Sequence, residues 1–175
     1  MHKILYLSQF AQIGGGETAL LYLISKLDKK RFQAHVILPQ KGQFYNRLKK
    51  LNVNIYILKL PPYLIRSLFV PGLSPFALAK LLTLAKKINP DLIHVNHLTL
   101  ALYAGIVAKI LKIPTVGTAH GVWDSLYFYQ DLIINLLIGK ILANTPQTAK
   151  TLLRKKIIRR PKVTVVPFGV DTNWF

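Results

Sequence analysis

Seven short runs rich in Ile, Leu and Val, separated by longer stretches of helical period, constrain this chain more than any other feature. The runs cover residues 3–8, 34–38, 54–58, 92–95, 115–118, 140–143 and 163–166. A strand with one solvated face alternates apolar and polar residues, whereas one covered on both faces reads as an almost unbroken apolar run, as these do. Helical patterns fall between them at 17–27, 44–51, 75–87, 98–111, 128–137 and 147–155. Ser74-Pro75 supplies an N-cap and a first-turn proline, and Thr145-Pro146 opens a helix in the same way. Asn89-Pro90 and Ile113-Pro114 stop helices just ahead of the next strand. Strand–helix alternation with right-handed crossovers predicts an α/β fold: a Rossmann-like, doubly wound parallel sheet of about seven strands. Only residues 59–74, with three prolines, aromatics and apolar residues, break the rhythm with a long connection.

Composition narrows the function. The 175 residues contain no cysteine, which excludes disulfides and thiolate metal sites, and five scattered histidines with six acidic residues make no metal centre. Twenty-four Lys and Arg give a formal net charge of +18, a field that attracts anionic membranes, nucleic acid or phosphorylated small molecules. The basic residues gather at helix ends and turns, where they also complement helix dipoles, and they form no stripe with aromatic platforms, so nucleic acid is the unfavoured partner. An anionic membrane surface fits better, because basic clusters accompany the apolar stretch 63–73; a solvated basic face is the plain alternative. With no secretory signal and no apolar run of spanning length, the chain reads as cytoplasmic, with peripheral contact at the inner face of the membrane as a further expectation.

In open α/β sheets, ligands bind beyond the carboxyl ends of the strands, where strand order reverses. With a central first strand, three loops line that crevice: 9–16, 96–98 and 119–125. The first ends in Gly14-Gly15-Gly16, directly before a helix. Glycines there permit positive φ and let backbone N–H groups approach a ligand, and the helix N-terminus attracts anions. The spacing is neither a dinucleotide fingerprint nor a phosphate loop, and a tight turn is an equal reading of it. Glu17 reads as a first-turn carboxylate favoured by the helix dipole. After the fourth strand come His94, Asn96 and His97. One of the histidines is a hydrogen-bonded structural group, and Asn96 and His97, nearest the crevice, are the better ligands. His120 and Gly121 follow the fifth strand, where His120 either holds a hydroxyl or moves a proton near neutral pH, or packs on Trp123 as an ordinary loop residue. Asp124 and Asp131 form no evident acid–base pair, and no nucleophile elbow is present.

Five segments then occur in a telling order: Ile13-Gly14-Gly15-Gly16-Glu17, Pro90-Asp91-Leu92-Ile93-His94-Val95-Asn96, Pro114-Thr115-Val116-Gly117-Thr118-Ala119-His120-Gly121, Ile141-Leu142-Ala143-Asn144-Thr145-Pro146 and Val163-Thr164-Val165-Val166-Pro167-Phe168-Gly169-Val170-Asp171. Together they resemble retaining glycosyltransferases of the group 1 (family four) type, across essentially the whole chain. The resemblance implies a GT-B fold, in which two Rossmann-like domains face each other across a cleft. The N-terminal domain mainly holds the acceptor and the C-terminal one the nucleotide-sugar. Residues 1–166 match the N-terminal, acceptor-side domain, and 167–175 the start of the connector to a C-terminal donor-binding domain absent from this chain. The co-substrate implied is a UDP- or GDP-sugar and the partner a sugar or lipid-linked acceptor, with no cofactor and no metal held by the protein.

By the same resemblance, Gly14, Gly15 and Gly16 match the loop that approaches the donor phosphate and the acceptor. His120 matches a strand-tip histidine near the reacting sugar, and Asn144 and Thr145 lie at the sixth strand tip facing the cleft with Asn96, His97 and Gly121. Two departures stand out: Phe168 occupies a position usually held by asparagine, and Thr18-Ala19 follow Glu17 where many members carry a basic residue. This half alone is expected to be inactive. The alternatives are a non-catalytic basic module for anionic membrane or nucleic acid, and one subunit of a split glycosyltransferase.

Overall fold

The computed structural model describes residues 1–61, 73–121 and 128–169. Most of the long 59–74 connection, with Trp123, Asp124 and residues 170–175 of the connector, lies outside the described residues. All seven expected strands are present: β1 (His2–Leu7), β2 (Phe32–Leu38), β3 (Asn54–Ile57), β4 (Leu92–Val95), β5 (Thr115–Ala119), β6 (Lys140–Ala143) and β7 (Val163–Val165). They form one parallel sheet of order β3-β2-β1-β4-β5-β6-β7. The order reverses between β1 and β4, where Leu7 pairs with Val95.

The helices are α1 (Gly15–Lys26), α2 (Gln43–Lys50), α3 (Pro75–Ile88), α4 (Ala101–Leu111), α5 (Phe128–Leu137) and α6 (Pro146–Leu153). Their starts follow the expected chemistry. The Ser74 hydroxyl accepts the Ala77 N–H at 3.2 Å, and the Thr145 hydroxyl accepts that of Thr148 at 3.0 Å. Two helix starts differ from the sequence pattern by more than one residue. The helix expected over 98–111 opens with a separate 3-10 turn, Leu98–Leu100, before α4 begins. Helix α1 starts at Gly15 instead of Glu17, with Gly14 as its N-cap, so two of the three glycines belong to the helix.

Burial follows strand alternation. Ile4, Tyr6, Val36 and Leu38 point to one face and pack with Leu20 and Ile24 of α1 and Phe44 and Leu48 of α2. Leu5, Leu7, Ile37, Ile93, Val95, Ile141 and Ala143 point to the other, beneath residues of α3, α4, α5 and α6. The crossovers produce that division: α1 and α2 serve connections running toward β3, and the later helices serve connections running toward β7. Helices α4 and α5 meet so closely that a Cβ on Gly105 would lie 2.3 Å from the Leu137 Cβ. On the α1 face, no described helix lies over β6 and β7. A cavity of about 330 Å³ opens there between α1 and residues 166–169, lined by Leu23, Leu142, Val166 and Phe168 below and by His94, Asn96, Thr118 and His120 above. Among the described residues, no helix is long and apolar enough to cross a membrane.

Candidate functional site

The carboxyl edge of the sheet gathers the predicted side chains around the reversal between β1 and β4. Strand β1 ends at Leu7, the chain runs from Ser8 through an irregular loop to Gly14, and α1 begins. Gly14 has φ −120° and ψ −170°, ordinary extended backbone. Among the described glycines only Gly121, with φ +76°, is left-handed, so the expected use of positive φ at 14–16 is corrected. What this loop needs is room. A Cβ on Gly16 would lie 3.0 Å from the His120 Cδ2, and one on Gly14 would lie 3.1 Å from the Glu17 Oε2. A Cβ on Gly15 would meet nothing within 4 Å, which leaves that side of the first turn open.

Glu17 is only 3% exposed, so it is far more than a surface carboxylate answering a dipole. Its Oε2 accepts the Gly14 N–H at 3.2 Å, while Oε1 accepts the Ser8 hydroxyl at 3.4 Å and lies 3.2 Å from the His97 Nε2. The His97 Nδ1 accepts the Gln9 N–H at 3.4 Å. A backbone N–H can only donate, so Nδ1 carries the lone pair and Nε2 the proton that faces Glu17. Thr99 in turn donates its hydroxyl to the Gln9 side chain. Sequence reasoning missed this Glu17–His97 pair. The available signal was the pair of loops itself, since both residues sit in segments expected at the same sheet edge.

From β4, Asn96 reaches into the same corner and is 2% exposed. Its Nδ2 donates to the Gly16 carbonyl at 3.4 Å, and its Oδ1 lies 3.1 Å from the His120 Nε2. An amide oxygen only accepts, so the His120 Nε2 is protonated and its Nδ1 is bare. That Nδ1 is buried and has no hydrogen-bond partner among the described residues. Phe168 tilts against the other side of the ring at 5.3 Å, and the His97 ring lies 5.5 Å away. Deeper in the cavity the His94 Nε2 lies 2.7 Å from the Thr118 hydroxyl. The expectation of one structural histidine is thus extended to two, because both His94 and His97 are engaged by the protein.

Burial disfavours charge on all three rings. His94 and His97 are pushed down to about 4, by desolvation first and then by repulsion from a charged His120. His120 is lowered from its ordinary value by desolvation, with hydrogen bonding to Asn96 pulling the other way. All three are therefore neutral at pH 7. Among the described residues no group of three His, Cys, Asp or Glu side chains is arranged to hold a metal ion.

The sixth strand tip joins the site more loosely. The Asn144 Oδ1 accepts the Gly121 N–H at 3.4 Å and the Thr148 hydroxyl at 2.7 Å. Thr145 is exposed, but its hydroxyl caps α6. Asp131 is buried on α5, with its Oδ2 3.9 Å from the Lys155 Nζ.

A sequence model of the family described as Glycosyltransferase Family 4 matches residues 13–174. Solved structures of similar fold include Anabaena Alr3699/HepE in complex with UDP-glucose, with TM-score 0.78 and 21% identity over 99% of this chain and 45% of that one. A glycosyltransferase from Rickettsia africae ESF-5 has TM-score 0.80 and 19% identity, covering 99% of this chain and 44% of its own. MurG of Acinetobacter baumannii has TM-score 0.66 and 15% identity, covering 99% and 48%. The chain thus spans less than half the length of these structures. No curated protein matches it in sequence.

Proposed function

The chain belongs to Glycosyltransferase Family 4, and from that premise we propose that it is the acceptor-side half of an enzyme that moves a hexosyl group from a nucleotide-sugar to an acceptor with retention. The observation that carries this reading is His120: one nitrogen is fixed by Asn96, the other is buried without a partner among the described residues, and the ring rests on Gly16 at the start of α1. A neutral imidazole held in that tautomer offers a lone pair to a sugar hydroxyl, a fixed acceptor in a partly dry corner. The first-turn N–H groups of Gly15 and Gly16 have no partner within the helix. They suit the negative charge that builds on a leaving diphosphate as the glycosidic C–O bond breaks. The co-substrate is a UDP- or GDP-sugar, consistent with the UDP-glucose in the Anabaena HepE structure, and the protein itself need hold no cofactor.

Residues 1–166 form the acceptor-side domain in this reading, and 167–175 lead toward a second, donor-binding domain. That domain would supply the opposite wall, so residues 1–175 alone should transfer no sugar. The acceptor is a glycan or a lipid-linked sugar. A lipid-linked acceptor is favoured by α3, where Phe76 is 71% exposed and the Lys80 Nζ lies 4.2 Å above its ring. An exposed aromatic beside cations suits peripheral contact with an anionic leaflet at the cytoplasmic face.

The deciding experiment is turnover of UDP-glucose and GDP-mannose by the full-length protein, followed by release of nucleoside diphosphate, with the anomeric configuration of the product read by NMR. Release dependent on an added glycan or lipid-linked acceptor, with retained configuration, is the expected result. Salt-dependent binding to nucleic acid with no response to any sugar nucleotide would overturn it in favour of a non-catalytic basic module.

A further inference from the structure

A first-turn carboxylate caps its helix perfectly well in solvent, so the burial of Glu17 calls for another cause. Burying a carboxylate is unfavourable unless hydrogen bonds replace its hydration. Here they do: the Gly14 N–H, the Ser8 hydroxyl and the His97 Nε2 all converge on it. His97 passes the connection on, because its second nitrogen accepts the Gln9 N–H. The pair therefore grips the irregular loop near both of its ends, at Gln9 and at Gly14. Among the described residues the backbone adds three ties: Ser8 N–H to the Ile37 carbonyl, Phe44 N–H to the Ala11 carbonyl and, at the helix start, Thr18 N–H to the Gly14 carbonyl. The His97 ring also stands beside His120, with ring centroids 5.5 Å apart.

On the reading that this sheet edge handles a nucleotide-sugar, we propose that Glu17 and His97 are positioning residues for the transfer: a buried staple that holds the 9–14 loop, the first turn of α1 and the His120 ring in one geometry. Neither needs to touch the sugar. Their part is to keep the open N–H groups of Gly15 and Gly16 and the bare Nδ1 of His120 at fixed separations. A fully hydrogen-bonded buried network is rigid in the way this task requires. The neutral His97 tautomer is what makes the chain of bonds continuous: a protonated Nδ1 would face the Gln9 N–H donor to donor.

Substitutions that keep one link at a time test the staple. His97→Asn leaves an acceptor at the Nδ1 place and keeps the Gln9 link, but is too short to reach Glu17. His97→Gln puts its amide at the Nε2 place, keeping the Glu17 link and losing Gln9. Glu17→Gln still caps Gly14 through its oxygen, but turns an N–H₂ toward a His97 nitrogen that also carries hydrogen. In the full-length protein, amide exchange across residues 8–16 should rise about five- to tenfold in each variant, the effect of losing one net hydrogen bond. kcat should fall about 10- to 100-fold with KM for the sugar nucleotide nearly unchanged, as expected for groups misplaced by a fraction of an ångström. Combining Glu17→Gln with His97→Gln should cost little more than either alone, because the two act as a unit. Unchanged exchange across 8–16 in all three variants overturns the staple, and so does a change confined to KM. If the wild type turns over no sugar nucleotide, the glycosyltransferase reading fails and takes the kinetic part with it; the exchange result still decides whether the staple exists.

Discussion

Two corners of the same sheet edge, with histidine rings 5.5 Å apart, are built to opposite plans. At the β1–α1 corner the buried carboxylate and its neighbouring imidazole are both satisfied by the protein: Glu17 has three partners, and His97 uses both nitrogens. At the β5 tip, among the described residues, His120 uses one nitrogen and leaves the other buried and unpaired, and the left-handed Gly121 beside it has nothing within 4 Å of where a Cβ would be. A satisfied buried network is rigid and chemically quiet, whereas an unsatisfied buried acceptor is destabilising until something pairs with it. The first corner is therefore scaffold and the second is where chemistry is expected. Substitutions can break that division or sharpen it.

The largest effect should come from the open corner. His120→Ala in the full-length enzyme is expected to lower kcat about 100-fold or more, the loss typical of a preorganised group aimed at the reacting centre. His120→Gln sharpens the result. Its amide can still donate to Asn96 from the Nε2 place but offers nothing where Nδ1 stood, so it should be nearly as impaired as alanine. Undiminished turnover in either variant would remove His120 from the mechanism.

Next comes a property of the closed corner, its dependence on neutral histidine. His97 and the deeper His94 titrate near 4 in the folded chain, against an ordinary value of 6.5 when unfolded. Between those values the unfolded state binds protons that the folded state does not, so stability rises with pH across the window and falls as pH drops from 6.5 toward 4. By pH 5 the share due to His97 should be about 2 kcal/mol relative to pH 8. Urea unfolding of wild type and His97→Gln at both pH values checks this: the variant should show the smaller loss. An equal loss in both would mean that the corner opens and protonates easily.

Much of this division was legible in the residues, and the rest was hidden for physical reasons. All seven strands and the edge where the loops converge follow from apolar runs, which encode burial on two faces directly. The 3-10 turn at Leu98–Leu100 was not legible, because its Leu-Thr-Leu continues the helical period into α4. His120 stands out in the sequence as a candidate because histidine followed by glycine at a strand end is unusual chemistry. Glu17 is the first-turn carboxylate that the sequence suggests, but its burial was not legible, because a carboxylate at the third helical position has a sufficient local explanation. Its burial arises from His97, eighty positions away. Glycine loops mislead in a related way: sequence shows that a Cβ is missing, but not whether the chain uses the added φ range or only the space. At Gly16 it uses the space, to seat His120.

That seat gives a middling prediction. Gly16→Ala retains the backbone N–H and the helix, but its methyl would stand 3.0 Å from the His120 ring carbon, so the ring must shift by a few tenths of an ångström. Turnover should fall about tenfold, well short of the loss from removing the ring, because small misplacements of reacting groups are felt steeply. The melting temperature should barely move, and an unchanged kcat would show that the two corners are not coupled through this contact.

The smallest effect should lie at the sixth strand tip, which faces the same edge but follows the closed plan. The Thr145 hydroxyl accepts the Thr148 N–H and also lies 3.0 Å from the Thr148 hydroxyl, so its evident task is to cap α6. Thr145→Ala should lower stability by about 1 kcal/mol, the usual worth of an N-cap, with kcat within about twofold of wild type. Thr145→Ser keeps the cap oxygen and should restore the stability. Chemical denaturation and turnover measured on the same two variants separate the roles. A loss of turnover in alanine well beyond its loss of stability would move Thr145 from the scaffold to the ligand and extend the open corner across β6.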